Sequence, residues 1–242
     1  MTAQERQWID TLTQRVEAAS RVETAQHVDS GPASVERCSA LWIALVSGGL
    51  QIVQALAQEQ QSVLILKARA VPVPPLGPRT HQILERTLLG ESRKVIAYET
   101  NVSPSTVAFA LKEALAGLGL RCRPSMVPSS LVILAHAACR GIPPTSSFIS
   151  DGEHQDQHFT VFTHVFEDAV LRGLSPSERV VVRLLASGRS CGDIAARRNR
   201  SCRTVVNQVA AACRRLGVSG RLELLHRFAT LAVSEPPQAT NR

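Results

Sequence analysis

The 242-residue sequence has few aromatic residues and no uninterrupted apolar stretch long enough to cross a membrane as a helix. Phe, Trp and Tyr make up only 4% of the chain, which favours small helical units packed on Leu, Val and Ala over an aromatic-rich β-sandwich. The longest apolar stretch, residues 41–57, is interrupted by Gln51 and Gln54 and is shorter than the roughly 20 residues of a membrane helix. The N-terminus lacks a basic region followed by an apolar core, so we expect a soluble, cytoplasmic protein that does not contact a membrane.

The six cysteines form no Cys-x-x-Cys motif, and a reducing compartment would keep them as thiols. We expect small thiols on helices, although the regular spacing of Cys191, Cys202 and Cys213 leaves a redox switch as an alternative. His154 and His158 lie four residues apart, but no further ligand cluster accompanies them, which favours a solvated turn over a metal site. No motif groups Ser, His and Asp residues into a catalytic set. We therefore predict that the protein is not an enzyme and needs no metal or cofactor.

The net charge of +7 is concentrated near the C-terminus. Residues 174–232 contain eleven arginines, no lysine and three acidic residues, a net charge of +8. The preceding segments carry −1 (residues 1–75), +3 (residues 76–128) and −3 (residues 129–173). Such an uneven distribution is typical of a surface that binds a polyanion. A solvated basic face is the alternative, and charge alone does not decide between the two.

The sequence contains one segment twice. A shift of 98 residues aligns residues 76–123 with residues 174–221 without a gap. The identical pairs include Gly90/Gly188, Ser92/Ser190, Ile96/Ile194, Ala97/Ala195, Ser103/Ser201, Thr106/Thr204, Val107/Val205 and Gly119/Gly217. Because these identities fall at turn and core positions, we interpret the two segments as copies of one small fold.

The second copy has the start and stop signals of four helices. A capping box over residues 175–178, with proline at the first helical position, begins a helix that ends at Gly188. Ser190 opens a short second helix, Ser201 caps a third helix after a tight turn, and Ser219 begins a fourth. The third helix has one buried stripe, formed by Val205, Val209, Ala212 and Leu216. A short helix, a turn and a longer amphipathic helix together predict a helix-turn-helix.

The first copy repeats these signals, with caps at Ser92 and Ser103. Thr80 stands where the second copy has Glu178, which weakens the first cap. The inward stripe of its third helix is Val107, Leu111, Ala114 and Leu118. Strand-like segments precede each copy, at residues 50–58 and 62–70 and again at 146–150 and 158–166, so each copy is expected to follow a β-hairpin.

We therefore predict a mainly α protein with small β-hairpins, in which two tandem four-helix helix-turn-helix modules are each preceded by a hairpin. The predicted domains are an N-terminal helix plus hairpin (1–75), a first, degenerate module (76–140), a linker with a hairpin (141–173) and a second module (174–242). Ile9, Leu12, Val16 and Ala19 lie on one side of the N-terminal helix. This helix either packs on its own domain or dimerises.

An ordered set of residues in the second copy carries a family resemblance. The set is Glu178, Gly188, Ile194, Ala195, Ser201, Thr204, Val205, Leu216, Gly217 and Val218. With these residues the two copies resemble the four-helix DNA-binding domain of the LuxR/FixJ (GerE-type) family of bacterial transcription regulators. The resemblance implies that the third helix of each copy faces the major groove of DNA.

The outward residues of the two third helices are the predicted DNA contacts. Asn207 can pair with adenine, Val206 can meet a thymine methyl group, and Arg203 suits phosphate. The full set is Arg200, Arg203, Thr204, Val206, Asn207, Ala210, Arg214 and Arg215 in the second copy and Ser105, Thr106, Phe109 and Lys112 in the first. We predict a nucleoid-associated transcription regulator that binds double-stranded DNA. The first copy serves as a second DNA grip or as a dimerisation or docking module.

A protein–protein adaptor is the alternative function. In this reading the helix-turn-helix units bind another regulator or a subunit of RNA polymerase in place of DNA. A homodimer and an RNA polymerase contact also remain open for the DNA-binding reading. Dependence of DNA affinity on salt would distinguish the two functions, because arginine–phosphate contacts weaken steeply as salt rises.

Overall fold

A computed structural model of the chain describes residues 30–122, 126–154 and 157–230, together with Gln7 and Thr11. Apart from Gln7 and Thr11, which are helical, the predicted N-terminal helix lies outside the described residues, including its stripe of Ile9, Leu12, Val16 and Ala19. In chain order the elements are β1 (Ser30–Pro32), α1 (Val35–Val46), β2 (Leu50–Ala57), β3 (Gln61–Ala68), α2 (Pro78–Leu88), α3 (Arg93–Glu99), α4 (Pro104–Gly117), α5 (Ser129–Arg140), β4 (Ser147–His154), β5 (Gln157–Val165), a 3-10 turn (Asp168–Leu171), α6 (Pro176–Ala186), α7 (Cys191–Arg197), α8 (Cys202–Leu216) and α9 (Arg221–Thr230).

The five strands form one antiparallel sheet in the order β1-β4-β5-β3-β2. At its centre β3 pairs with β5, and Leu64 lies opposite Phe162. These two residues are 98 positions apart, so they occupy equivalent places in the two repeats. The two predicted hairpins, β2–β3 and β4–β5, are both present, and they meet strand to strand around a local twofold axis.

The predicted mainly α fold with two tandem modules is wrong, because the two hairpins join into one sheet and the fold is α/β. Val63, Leu64, Ile65 and Leu66 of β3 are each at most 1% exposed, so both faces of this strand are covered. An isolated hairpin would leave β3 as an edge with unpaired backbone groups. Pairing with β5 satisfies those groups, and residues 141–173 supply two of the five strands.

Helices from both repeats pack on the sheet face that bears Leu64, Leu66 and Phe162. Helix α1 contacts α5, and α5 in turn contacts α2 and α9. Trp42 of α1 donates its indole N–H to Glu85 of α2 at 3.0 Å. One continuous core therefore extends through the described parts of the two repeats. None of the helices within the described ranges is long and apolar enough to cross a membrane.

The predicted helix boundaries are confirmed at the capping residues. Ser175 and Glu178 form the capping box of α6, and the hydroxyl of Ser201 accepts a hydrogen bond from the backbone N–H of Thr204 at the start of α8. Gly217 ends α8 in the left-handed conformation, with φ of 64°. In the first repeat α2 begins after Gly77, which has no side chain to cap the helix, and Thr80 stands in place of the capping carboxylate.

Candidate nucleic-acid interface

Helix α8 is held in place by a small apolar cluster and a sharp turn. The turn after α7 contains Asn199 in the left-handed region, with φ of 48°, a conformation that asparagine tolerates better than most residues. Val205 of α8 then packs against Val181 of α6 and Ile194 of α7, and all three side chains are fully buried. One side of α8 is thus anchored to the two helices that precede it.

The opposite side of α8 faces solvent. Every predicted contact residue of the second copy is exposed, namely Arg200, Arg203, Thr204, Val206, Asn207, Ala210, Arg214 and Arg215. The predicted inner stripe faces the core: Val205, Ala212 and Leu216 are buried, and Val209 is half-buried. The burial pattern leaves the outward residues of α8 open to a ligand.

Three arginine side chains on this side have no partner among the described residues. The guanidinium groups of Arg200, Arg203 and Arg214 form no hydrogen bond or ion pair with any residue in the described ranges. Arg215 differs, because its guanidinium lies 2.5 Å from a carboxylate oxygen of Glu178. The Ser175 backbone N–H and hydroxyl hold the pKa of Glu178 below its usual value, and Arg215 adds to this shift. Glu178 therefore stays ionised and partly neutralises Arg215.

Most of the other arginines in residues 174–232 are engaged within the protein. Arg183 pairs with Asp168, and Arg197 pairs with Glu59 at 2.7 Å. Arg221 donates hydrogen bonds to the carbonyl oxygens of residues 185 and 186 and to Ser129. Burial lowers the pKa of Arg221 to about 10, so it remains a cation at neutral pH. The segment charge of +8 consequently overstates the positive charge that is free to meet a polyanion.

A polar network joins α8 to the start of α6, and sequence reasoning missed it. Arg198 donates hydrogen bonds to Gln208 (2.8 Å) and to the hydroxyl of Ser177 (2.7 Å). Gln208 also donates to Ser177 at 3.2 Å. The groove beside this network has a volume of about 410 Å³ and is lined by Ser175, Glu178, Thr204, Asn207, Gln208, Ala211 and Arg215. The network fixes the orientation of α8 relative to α6.

The equivalent helix of the first repeat, α4, has a different outer surface. The predicted contacts Ser105, Thr106, Phe109 and Lys112 are all exposed, and Phe109 is 65% exposed. The positions equivalent to Arg203, Arg214 and Arg215 hold Ser105, Ala116 and Gly117. The outer side of α4 therefore lacks the arginines of α8.

The histidines and cysteines considered in the sequence are not gathered into a larger group. Within the described ranges no three His, Cys, Asp or Glu side chains are grouped so that they could hold a metal ion. His158 pairs with Glu153 at 2.8 Å on the exposed β4–β5 hairpin. Cys202 is exposed, Cys191 is half-buried and Cys213 is buried.

The fold and the site together define an α/β protein that presents an arginine-bearing helix to solvent. Comparison of the chain with protein-family models, with curated proteins and with solved structures found no match. The residues of α8 and their surroundings therefore carry the evidence for function.

Proposed function

We propose that this protein is a bacterial DNA-binding transcription regulator of the LuxR/FixJ type and that α8 lies in the major groove of its target duplex. The observation that carries the proposal is the solvent-facing side of α8, where Arg200, Arg203 and Arg214 have no ionic partner in the described ranges. An α-helix fits the width of the major groove. Unpaired arginines on such a helix can bind phosphates without first breaking an internal ion pair.

Phosphate contacts would set the position of α8 on the duplex. Arg200 lies in the turn before the helix, Arg203 in its first turn and Arg214 in its last turn. The hydroxyl of Thr204, which lies 2.8 Å from that of Ser201, is also exposed at the helix start. Contacts of this kind carry no sequence information, but they fix register and orientation.

Base recognition would come from the residues between these arginines. Asn207 can donate to N7 and accept from N6 of adenine, which is a bidentate contact. Val206 is 47% exposed, and its side chain suits a thymine methyl group. Ala210 follows Asn207 by one turn, and its small side chain permits close approach of the helix to the groove.

The test begins with selection of duplexes from a random pool by the full chain, followed by fluorescence anisotropy. Asn207→Ala should cost about 1–3 kcal/mol on the selected duplex and little on a scrambled one, whereas Arg214→Ala should weaken both alike. Arg79→Ala, which removes an exposed arginine of α2, is the matched control and should change neither. Equal losses for Asn207→Ala on both duplexes would exclude base readout. Failure to enrich or bind any duplex would exclude the function itself.

The second candidate is the protein adaptor, and the exposure of Phe109 on α4 favours it. An exposed phenylalanine is more typical of a protein contact than of a phosphate contact. The partner would be a polymerase subunit, another regulator or a second copy of this chain. An adaptor would bind its protein partner with a weak dependence on salt and would leave duplex DNA unbound.

A further inference from the structure

The outer surface of α3 and α4 in the first repeat bears two strongly exposed aromatic side chains. Tyr98 is 87% exposed and Phe109 is 65% exposed, more than any other Phe, Trp or Tyr in the described ranges. The two helices that carry them are in contact. Water solvates aromatic rings poorly, so exposed rings on adjoining helices indicate a surface that binds something.

Cations lie on the same helices as these two rings, with Lys94 one helical turn before Tyr98 and Lys112 one turn after Phe109. Arg93, Lys94 and Lys112 are exposed and make no ion pair with a described residue. The nearby carboxylates Glu91 and Glu99 share one cation, Arg86, which offsets one of their two negative charges. Glu113 is the remaining exposed acid on α4. The surface therefore carries an excess of positive charge beside its aromatic rings.

The two repeats carry different kinds of residue at equivalent positions of these helices. Where the first repeat has Tyr98 and Phe109, the second has Ala196 and Asn207. Where the second repeat has Arg203, the first has Ser105. The α8 surface is suited to phosphates and base edges of a duplex, whereas the α3–α4 surface offers flat rings for stacking. In a duplex each base is stacked between its neighbours, so a protein side chain cannot reach its flat face. Rings of this kind can therefore stack only on bases that are unpaired.

We propose that the α3–α4 surface, formed by Arg93, Lys94, Tyr98, Phe109 and Lys112, binds single-stranded nucleic acid. Bases stack on Tyr98 and Phe109, and the three cations hold the phosphates that flank them. Aromatic rings beside cations are the recurring arrangement for binding single strands without sequence preference, because every base has a flat face. This site is separate from α8 and would exist even if the proposed duplex readout by α8 were wrong.

The experiment measures binding of the full chain to a fluorescent oligodeoxythymidylate of about 16 nucleotides, the upper range for one binding unit. Tyr98→Ala and Phe109→Ala should each weaken binding about 5- to 100-fold. Phe148→Ala removes an exposed phenylalanine from β4 and should change binding less than twofold, in contrast to about fivefold or more for the other two. Because Tyr98 and Phe109 are exposed, their variants should keep the thermal midpoint of the parent.

Duplex competition separates this proposal from the function of α8. An unlabelled duplex should displace the oligonucleotide poorly, and Asn207→Ala and Arg214→Ala should leave its binding unchanged. The proposal is overturned if the chain does not bind the oligonucleotide, if Tyr98→Ala and Phe109→Ala bind like the parent, or if the Asn207 and Arg214 variants are the ones that lose binding. If the chain binds no oligonucleotide and the Phe109 variant instead loses association with another protein, the surface is a protein-binding site.

Discussion

The salt dependence of duplex binding is predicted by the number of arginines that are free on α8. Each phosphate neutralised by a protein cation contributes about −0.9 to the slope of log affinity against log salt. The three unpartnered arginines, Arg200, Arg203 and Arg214, predict a slope of about −2.7. Between 50 and 200 mM salt the affinity should fall about 40-fold.

Counting charges in the sequence gives a very different value. If all eleven arginines of residues 174–232 bound phosphates, the slope would be about −10 and the same change in salt would weaken binding about 10⁶-fold. The structure reduces this number because seven of the eleven guanidinium groups are bound by other residues of the protein and Arg189 lies outside α8. The seven are Arg179, Arg183, Arg197, Arg198, Arg215, Arg221 and Arg227. The two predicted losses of affinity differ by about four orders of magnitude, which is readily measured.

Fluorescence anisotropy with one duplex at four or more salt concentrations provides the slope. Arg203→Ala and Arg214→Ala should each make it shallower by about one. Arg197→Ala is the matched control, because Arg197 is paired with Glu59 and should leave the slope unchanged. A slope near −10 for the parent, or an Arg197 variant that behaves like the Arg214 variant, would show that the unpaired arginines of α8 do not set the salt dependence.

Three further predictions concern stability, measured by urea unfolding with circular dichroism. Leu64→Ala, at the centre of the shared sheet, should cost about 2–5 kcal/mol and leave one cooperative transition; a second, unaffected transition would show that the repeats fold separately. Ser201→Ala should remove the cap of α8 and cost about 0.5–2 kcal/mol, while Ser201→Asn should recover most of that loss; equal losses for both would rule out the capping role. Burial lowers the pKa of His136 and His164 to about 4, so the folded state resists the protonation that the unfolded chain undergoes near pH 6.5. Each histidine should therefore cost about 2 kcal/mol of stability between pH 7.5 and 5, and a stability that rises on acidification over this range would contradict their burial as neutral groups.

Local sequence signals predicted the helices because each helix boundary depends on a few adjacent residues. Ser201 caps α8 through a bond to Thr204 three positions away, and Gly217 ends the helix by its own backbone conformation. The amphipathic stripe likewise placed Val205 inside and Asn207 outside. The exposure of the candidate interface was therefore predictable from periodicity alone.

The sheet could not be predicted in the same way, because its central pairing joins residues about one hundred positions apart. Each hairpin was predicted from its own residues. The pairing of Leu64 with Phe162 forms only when the chain between them has folded. One signal was present: the continuous apolar run in β3 is typical of a strand that is covered on both faces. A strand covered on both faces is typical of the interior of a sheet, where each edge is also paired, which argues against two isolated hairpins.

The ion-pair and hydrogen-bond partners of the arginines could not be predicted from the sequence either. Arg197 pairs with Glu59, which lies in the hairpin of the other repeat. Arg198 donates a hydrogen bond to Ser177, which is 21 residues away in the sequence and is brought close only by the fold. Composition therefore reported the total charge but not how much of it is free. That difference decides how strongly the interface responds to salt.

Chemical protection shows whether the outer side of α8 lies in a major groove. Dimethyl sulfate methylates guanine N7 in the major groove and adenine N3 in the minor groove. On the duplex selected by the full chain, α8 should protect guanine N7 over about one helical face, and the double variant Arg203→Ala/Asn207→Ala should lose that protection. Protection confined to adenine N3, or guanine protection that persists in the double variant, would show that α8 does not lie in the major groove.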